Sequence, residues 1–164
     1  MDKSLNTDRF LEVMGNYPTG VTVVTTTNDL KVPLGLTVNS FASVSLDPLL
    51  VLWSIDNSVS TYPVFTQTDH FAINVLANDQ ADICSSFAIK DIDRFSQCEW
   101  EFSNRNLPII SGAAGVLQCK TFKRIEAGDH MILIGEVIDI LSTDKQPLLY
   151  HRRKMGGIPD SFYE

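Results

Sequence analysis

The sequence predicts a mainly β protein, an antiparallel barrel with a few short helices, and three observations carry that prediction. Stretches rich in β-branched residues recur at strand length along the chain, separated by turn residues. Helical periodicity is confined to two or three short segments. The strand HMILIGEVIDI (130–140) is apolar on both faces, whereas a lone barrel needs only an apolar inner face. That surplus predicts a homodimer in which a second copy covers the outer face.

The first element is a helix over residues 7–16. Phe10, Leu11, Val13, Met14 and Tyr17 form one stripe, Asn6 or Thr7 can cap its start, and Pro18 ends it. GVTVVTTT (20–27) is a β-branched strand closed by a turn at Asn28-Asp29. GLTVNSFASVSLDP (35–48) alternates with period two: Leu36, Val38, Ala42, Val44 and Leu46 face one side, and Gly35, Thr37, Asn39, Phe41, Ser43 and Ser45 the other. LLVLWSI (49–55) is apolar on both faces and is expected to be buried on both. Ser60 or Thr61 caps a short helix that runs through Phe65. HFAINVLA (70–77) is a strand with one polar residue, Asn74, whose amide is expected to find neighbouring backbone. Asn78 or Asp79 caps a helix in which Ile83 and Phe87 stand four apart. Residues 89–112 read as irregular, with a short strand at CEWEF (98–102). GVLQCKTFKRIEA (115–127) and HMILIGEVIDIL (130–141) form a long hairpin around Gly128-Asp129, and PLLYHRRKMGG (147–157) follows as a tail.

With 164 residues, 44% of them hydrophobic and 20% charged, the chain has the length of one domain, taken as 1–164, and enough apolar material for a core. A formal charge of −7 argues against a broad grip on nucleic acid or an anionic membrane. An anionic ligand must therefore be met by a local set of donors. Cys84, Cys98 and Cys119 are odd in number and widely spaced, which favours reduced core cysteines over a disulfide framework or zinc knuckle. The N-terminus shows no apolar leader and no run of 18 apolar residues occurs, so a soluble, cytoplasmic chain is expected. GxGxxG after a strand, GxxxxGKS/T and GxSxG are all missing. His70, His130 and His151 lie far apart without metal-ligand spacing, and no metal site is expected. Cys84, flanked by Ser85 and Phe87, reads as buried filler. HRRK (151–154) reads either as a phosphate-binding cluster or as a solvated basic tail.

Two constellations carry chemistry. Between Lys31 and Asp47 there is no charged residue, although one face of the strand is polar. Thr, Asn and Ser each donate and accept, so a neutral row of them suits a ligand edge of mixed carbonyl and N–H groups. The isoalloxazine of a flavin has such an edge on a flat apolar ring. Neutral donors near its N1 and O2 stabilise negative charge on reduction without an ion pair in the oxidised state. The competing reading is that these hydroxyls pair across strands or line a polar dimer interface. The second constellation is EAGDHMILIGEV (126–137), where Gly128 permits a tight turn and leaves Asp129 and His130 at its exit. An imidazole there can contact a second substrate at the barrel mouth; the alternative is a merely exposed turn histidine.

MGNYPTGVTVVTT, GLTVNSFASVSLDPLLVLWSI, STYPVF, FAINVLANDQADICSSFA, DRF, LPIISGAAGVLQCK, EAGDHMILIGEV and PLLYH together cover roughly residues 10–151. In this order they resemble the flavin reductase-like family, small NAD(P)H:flavin oxidoreductases that serve two-component aromatic monooxygenases. The resemblance implies an FMN-binding split β-barrel with a Greek-key core and a homodimer holding FMN or FAD at the subunit interface. NADH or NADPH would be the hydride donor, and a separate monooxygenase the recipient of reduced flavin. By the same resemblance Thr37, Val38, Asn39 and Ser40 contact the isoalloxazine, while Ser54, Ile55 and Asp56 line its far side. Thr19, Gly20 and Val21 lie near the flavin, Ser85, Ser86 and Phe87 lie towards its phosphate, and Arg94 is a phosphate partner. Asp129 and His130 fall at the nicotinamide site, with His130 in the catalytic position. Hydride transfer needs stacking more than a general base, which accounts for the lack of an acid–base dyad. Two departures stand out. The tail reads YHRRKMGGI where many relatives have a glycine-aromatic pattern, leaving the nucleotide preference open, and Trp53 stands where a smaller residue is common. A flavin carrier or sensor without reductase activity, and a split-barrel oxidase of a small substrate, remain the alternative functions.

Overall fold

The computed structural model describes residues 5–164. Helix α1 (Thr7–Asn16) leads into β1 (Thr19–Gly20), β2 (Thr22–Thr27), β3 (Pro33–Val38), β4 (Ala42–Leu46) and β5 (Leu49–Asp56). After α2 (Tyr62–Phe65) come β6 (His70–Val75), α3 (Ala81–Ser86), β7 (Trp100–Phe102) and β8 (Pro108–Ile110). The long hairpin β9 (Gly115–Ala127) and β10 (His130–Ser142) is followed by β11 (Leu148–His151) and β12 (Lys154–Gly157). The main sheet is antiparallel in the order β3-β2-β6-β9-β10-β5-β4, and smaller sheets join β1-β11-β12 and β7-β8. The main sheet curls until β3 meets β5. There the Ser40 hydroxyl donates to the Ser54 carbonyl at 3.2 Å and accepts from the Ser54 N–H at 3.0 Å. One side chain satisfies backbone groups that a ladder rung would otherwise pair, and the barrel closes at that seam.

Alternation decides what lies inside. On β5, Val51, Trp53 and Ile55 point into the barrel, while Leu50, Leu52, Ser54 and Asp56 point outward and stay half-exposed. The expectation that this strand is buried on both faces is thus corrected: within this chain its outer face is only partly covered. Inside, Trp53 meets Phe65 and Phe71 edge-on, with ring centroids 5.2 and 5.9 Å away. Phe65 comes from the short helix α2, which plugs that end of the barrel. Burying such a ring contributes about 2–3 kcal/mol. The Trp53 indole N–H has no partner among the described residues, at a cost of about 1–3 kcal/mol, so the large ring is there to fill volume. Its neighbour Phe71 lies directly on β10, where Gly135 leaves room beside Phe71 and Cys119.

Asn74 is fully buried and its amide is satisfied as expected. It donates to the Val23 carbonyl and the Thr25 hydroxyl and accepts from the Ile110 N–H, tying β6 to β2 and β8. The three cysteines are unpaired. Burial raises the Cys119 thiol to about 12, so the folded chain keeps a proton that the unfolded chain gives up earlier. Stability is therefore full at lower pH and falls as pH rises from the ordinary thiol range towards 12. Urea melts at about pH 7 and about pH 10.5 are expected to differ by an amount on the order of 2 kcal/mol attributable to this thiol. Cys119→Ala should flatten that difference, and an identical pH slope in the variant would refute the assignment.

Four expectations need correction. The stretch 35–48 is two strands, because the chain crosses the barrel seam at Asn39–Phe41 and places β3 and β4 at opposite ends of the sheet order. Leu36 and Val38 pack inward as expected, but Ala42, Val44 and Leu46 lie exposed because β4 is an edge strand outside the closed barrel. The N-cap of α3 is Gln80, not Asn78 or Asp79, and it makes no side-chain capping bond; its amide oxygen accepts the Ala77 N–H instead. The 147–157 tail is a β-hairpin with Arg152-Arg153 at its tip. In addition, the irregular region holds the small β7–β8 hairpin, of which only the first strand was predicted. Helix α1 begins as expected, with the Asn6 side chain accepting the Asp8 N–H at 2.7 Å. Among the described residues its apolar stripe finds no cover, with Phe10, Leu11, Val13, Met14 and Tyr17 all exposed. Among the described residues no helix is long and apolar enough to cross a membrane.

Candidate functional site

A cleft of about 590 Å³ opens on the outside of the barrel. Its floor is β3 from Pro33 to Thr37, one wall is the loop Ser58–Thr61, and the other is Phe87, Ala88 and residues Lys90–Phe95. The floor is held to α3 by backbone chemistry. The last carbonyls of a helix lack intrahelical partners, and here the edge of β3 supplies donors: the Thr37 hydroxyl donates to Cys84 at 2.8 Å and the Thr37 N–H to Phe87 at 3.2 Å. Gly35 lets the Phe87 ring lie directly on the strand, since a Cβ at that position would sit 2.8 Å from Phe87 Cε1. Phe87 is in turn fixed edge-on against Phe95, with centroids 5.0 Å apart.

The charge-free stretch therefore does two jobs. Thr37 and Ser40 spend their hydroxyl protons on the protein: Ser40 bonds across to β5, as the competing reading anticipated, and Thr37 bonds α3, which that reading did not include. Thr37 Oγ1 still offers its lone pairs as acceptors, and Ser40 Oγ, which accepts the Ser54 N–H, offers one. Asn39 is exposed, and its amide has no partner among the described residues. Val21, Val38 and Ile55 belong to the apolar clusters inside the fold, because period-two alternation turns them away from the surface. Their support for a ligand at the surface comes through backbone or packing. Ser54 and Asp56 do face outward.

The turn after β5 and the turn before β10 are bolted together. Asp56 Oδ1 accepts both the N–H and the hydroxyl of Ser58 at 2.7 Å, and the Asn57 N–H donates to the Asp129 carbonyl at 2.9 Å. The two Ser58 hydrogen bonds hold the Asp56 carboxyl below its ordinary range, with His130 and Lys90 adding smaller attractions. His130 stands opposite Asp56 in the β10–β5 register. Its Nδ1 lies 2.7 Å from Asp129 Oδ1. A carboxylate only accepts, so Nδ1 carries the proton and Nε2 of the neutral ring is an open acceptor.

Arg94 lines the cleft, yet its guanidinium donates to the carbonyls of Ile89 and Gly35, pinning the 89–94 loop to the floor. Partial burial lowers its pKa. Ser85 and Ser86 bond back to Ala81 and Asp82 within α3 and do not line the cleft; nor do Thr19 and Gly20, which form β1. Ser58, Ser60, Thr61 and Lys90 line the cleft without having been singled out as site residues. Ser60 and Thr61 had a capping role in prospect, but Thr61 sits at the N-cap of α2 with no side-chain capping bond. The signal was available: from Asn57 to Thr68 the chain carries no charge and five hydroxyl residues besides Tyr62. Among the described residues no group of three or more potential metal ligands gathers.

The flavin reductase-like domain family model matches residues 14–159. The reductase component of a flavin-dependent trigonelline monooxygenase from Acinetobacter baylyi is 47% identical over 141 residues, 86% of this chain and 46% of that protein. The chain thus spans about half the length of that relative. An NADH-dependent FMN reductase, SmoA, from Agrobacterium fabrum is 43% identical, covering 92% of this chain and 86% of that one. Among solved structures, the NADH:FAD oxidoreductase SgcE6 of Streptomyces globisporus, in complex with NAD and FAD fragments, superposes with a TM-score of 0.89. It is 33% identical and covers 94% of this chain and 93% of its own.

Proposed function

The chain belongs to the flavin reductase-like family, and we propose that it transfers hydride from NADH or NADPH to FMN or FAD and delivers reduced flavin to a separate monooxygenase. The observation that carries this reading is the cleft itself, whose floor is the uncharged strand from Pro33 to Thr37 and whose far wall brings Lys90 and Arg94 together with Asp91 and Asp93. A flat ring with mixed donor and acceptor edges suits the floor, and a phosphate suits the two basic side chains. When bound, the nicotinamide gives a hydride that the flavin accepts, and the protein's part is to hold two rings face to face and keep water out. Asn39, Ser54 and the acceptor lone pairs of Thr37 and Ser40 address the ring edge. Lys90, Arg94 and the hydroxyls of Ser58, Ser60 and Thr61 address the phosphate. Thr19 and Gly20 border the seam end of β3, and Phe87 backs the ring, while Ser85 and Ser86 steady the helix that carries it.

His130, its tautomer set by Asp129, orients the nicotinamide through Nε2. His130→Ala is accordingly expected to lower NAD(P)H turnover about ten-fold, the size of one lost hydrogen bond, with flavin affinity kept within about two-fold. Stopped-flow hydride transfer beside a flavin titration checks this, and equal losses in both would remove the role.

The functional unit is a homodimer of single-domain chains. Its support is the apolar surface left open here: the α1 stripe together with Phe122, Ile125, Ile138, Ile140 and Leu141 on the outer β9–β10 ribbon. Light scattering of the purified protein tests it, and a monomer at micromolar concentration would refute it. The activity is tested by NADH and NADPH oxidation with FMN, FAD or no flavin added. Oxidation that saturates with added flavin supports the reading and names the better pair. Tight flavin binding with no oxidation of either nucleotide would leave a carrier or an oxidase of another substrate.

A further inference from the structure

Apart from the cleft, a second hollow of about 760 Å³ lies between α1 and the tip of the β11–β12 hairpin. In the single chain Arg9, Arg152 and Arg153 line it, with Glu12 as its one carboxylate, and Leu11 and Val13 of the α1 stripe bring it to the edge of the proposed dimer face. Such a gathering of guanidinium groups is unexpected in a chain whose formal charge is −7. Among the described residues the ion pairs are those of Arg105 and Lys145, so none of the three arginines is neutralised by an acid within 4 Å.

The backbone makes the gathering more telling. The hairpin turns in two residues between His151 and Lys154, and both turn residues, Arg152 (φ 50°) and Arg153 (φ 63°), adopt the left-handed conformation. Asn-Gly is the pair that relieves strain in such a turn, whereas two long side chains pay for it in stability. The tip is also anchored. The Arg152 N–H donates to the Gly15 carbonyl at 3.1 Å, and its Nε donates to Asn16 Oδ1 at 3.1 Å, while its terminal nitrogens bond to none of the described residues. His151 Nε2 lies 3.3 Å from the same Asn16 oxygen. Asn16 therefore aims a guanidinium that could otherwise swing in solvent.

We propose that Arg9, Arg152 and Arg153 form a binding site for a phosphate group of a dinucleotide. A planar fork of donors matches phosphate oxygens bidentately, and a hollow of this size admits half a dinucleotide. The choice of ligand rests on the reductase reading; the anion site itself does not. The hairpin that carries Arg152 is tied to the chain entering the barrel, since Tyr150 pairs with Thr19 and β2 begins at Thr22. The phosphate belongs either to the 2′ position of NADPH or to a pyrophosphate bridge, as in NAD(P)H or FAD.

The test is the double variant Arg152→Asn/Arg153→Gly, whose new residues suit the turn, so its Tm should equal or exceed that of the parent. Calorimetry with 2′,5′-ADP and with inorganic pyrophosphate then reads the site directly. A loss of affinity of about ten-fold or more in the double variant supports the site. Loss confined to 2′,5′-ADP assigns the 2′-phosphate, and the kcat/KM ratio of NADH over NADPH should rise by a similar factor. Loss for both probes assigns a pyrophosphate. Equal affinities in parent and variant, or no binding of either probe by the parent, would overturn the proposal. Absence of NAD(P)H oxidation in both proteins would sink the reductase reading, while the calorimetric result would still decide the anion site.

Discussion

Gly135→Ala is expected to cost about 3 kcal/mol, a fall in Tm of roughly 6–12 °C for a chain of this size. A Cβ at this position would lie 2.5 Å from Phe71 Cζ and 2.9 Å from Cys119 Cβ. Neither atom can give way. The Phe71 ring is wedged edge-on against Trp53 at 5.9 Å, and Cys119 Cβ is one bond from the backbone of the central strand β9. Gly135 also sits where the β9–β10 register shifts, so the backbone is already committed to a local irregularity. Replacing glycine lowers the entropy of the unfolded chain and gains about 0.4–1 kcal/mol, which the overlap outweighs. Gly156→Ala is the control, because nothing lies within 4 Å of the added carbon. Thermal melts of both variants decide the matter: a similar drop in each would remove the packing explanation.

Gly35→Ala should act mainly on the ligand. The new methyl would meet Phe87 Cε1 at 2.8 Å, Phe87 Cδ1 at 3.0 Å and Phe95 Cζ at 3.3 Å, forcing the aromatic pair away from β3. Three hydrogen bonds converge on that junction, from Thr37 to Cys84, from Thr37 to Phe87 and from Arg94 to Gly35, and all would lengthen. The floor and one wall of the cleft would part. The expected loss of flavin affinity is about thirty-fold, equivalent to about 2 kcal/mol, read by quenching of flavin fluorescence. Stability should fall less than for Gly135→Ala, because the added methyl meets only aromatic edges, at 2.8 Å and beyond, whereas at Gly135 it meets Phe71 at 2.5 Å and the Cys119 Cβ at 2.9 Å. A variant that melts lower yet binds flavin as before would place the ligand elsewhere.

What could be read along the chain was whatever local chemistry enforces. β-Branched runs made strands at the expected places, Asn6 capped α1, Gly128 turned the β9–β10 hairpin with φ at 63°, and Asn74 found backbone partners. The polar face of 35–38 was correctly separated from Leu36 and Val38 because period two needs no knowledge of neighbours. The order of motifs also carried the family. The site was legible only in part. Thr37, Asn39, Ser54, Asp56 and His130 do lie on the outer surface, but Val21, Val38 and Ile55 turn inward, and Ser58, Ser60, Thr61 and Lys90 enter the cleft from a loop and a helix exit.

Sequence alone thus determined that this protein is mainly β, which strand carries the uncharged edge, and that its apolar surface exceeds what one barrel can bury. Those properties depend on residue type and on spacing of a few positions, and both are local. Tertiary structure alone decided that 35–48 breaks at the barrel seam, that Ser40 closes it, that Gly135 makes room for Phe71, and that three arginines from α1 and a hairpin tip share one hollow. Each of these joins residues far apart in the chain, and such meetings are set by how the sheet curls, which no local pattern encodes.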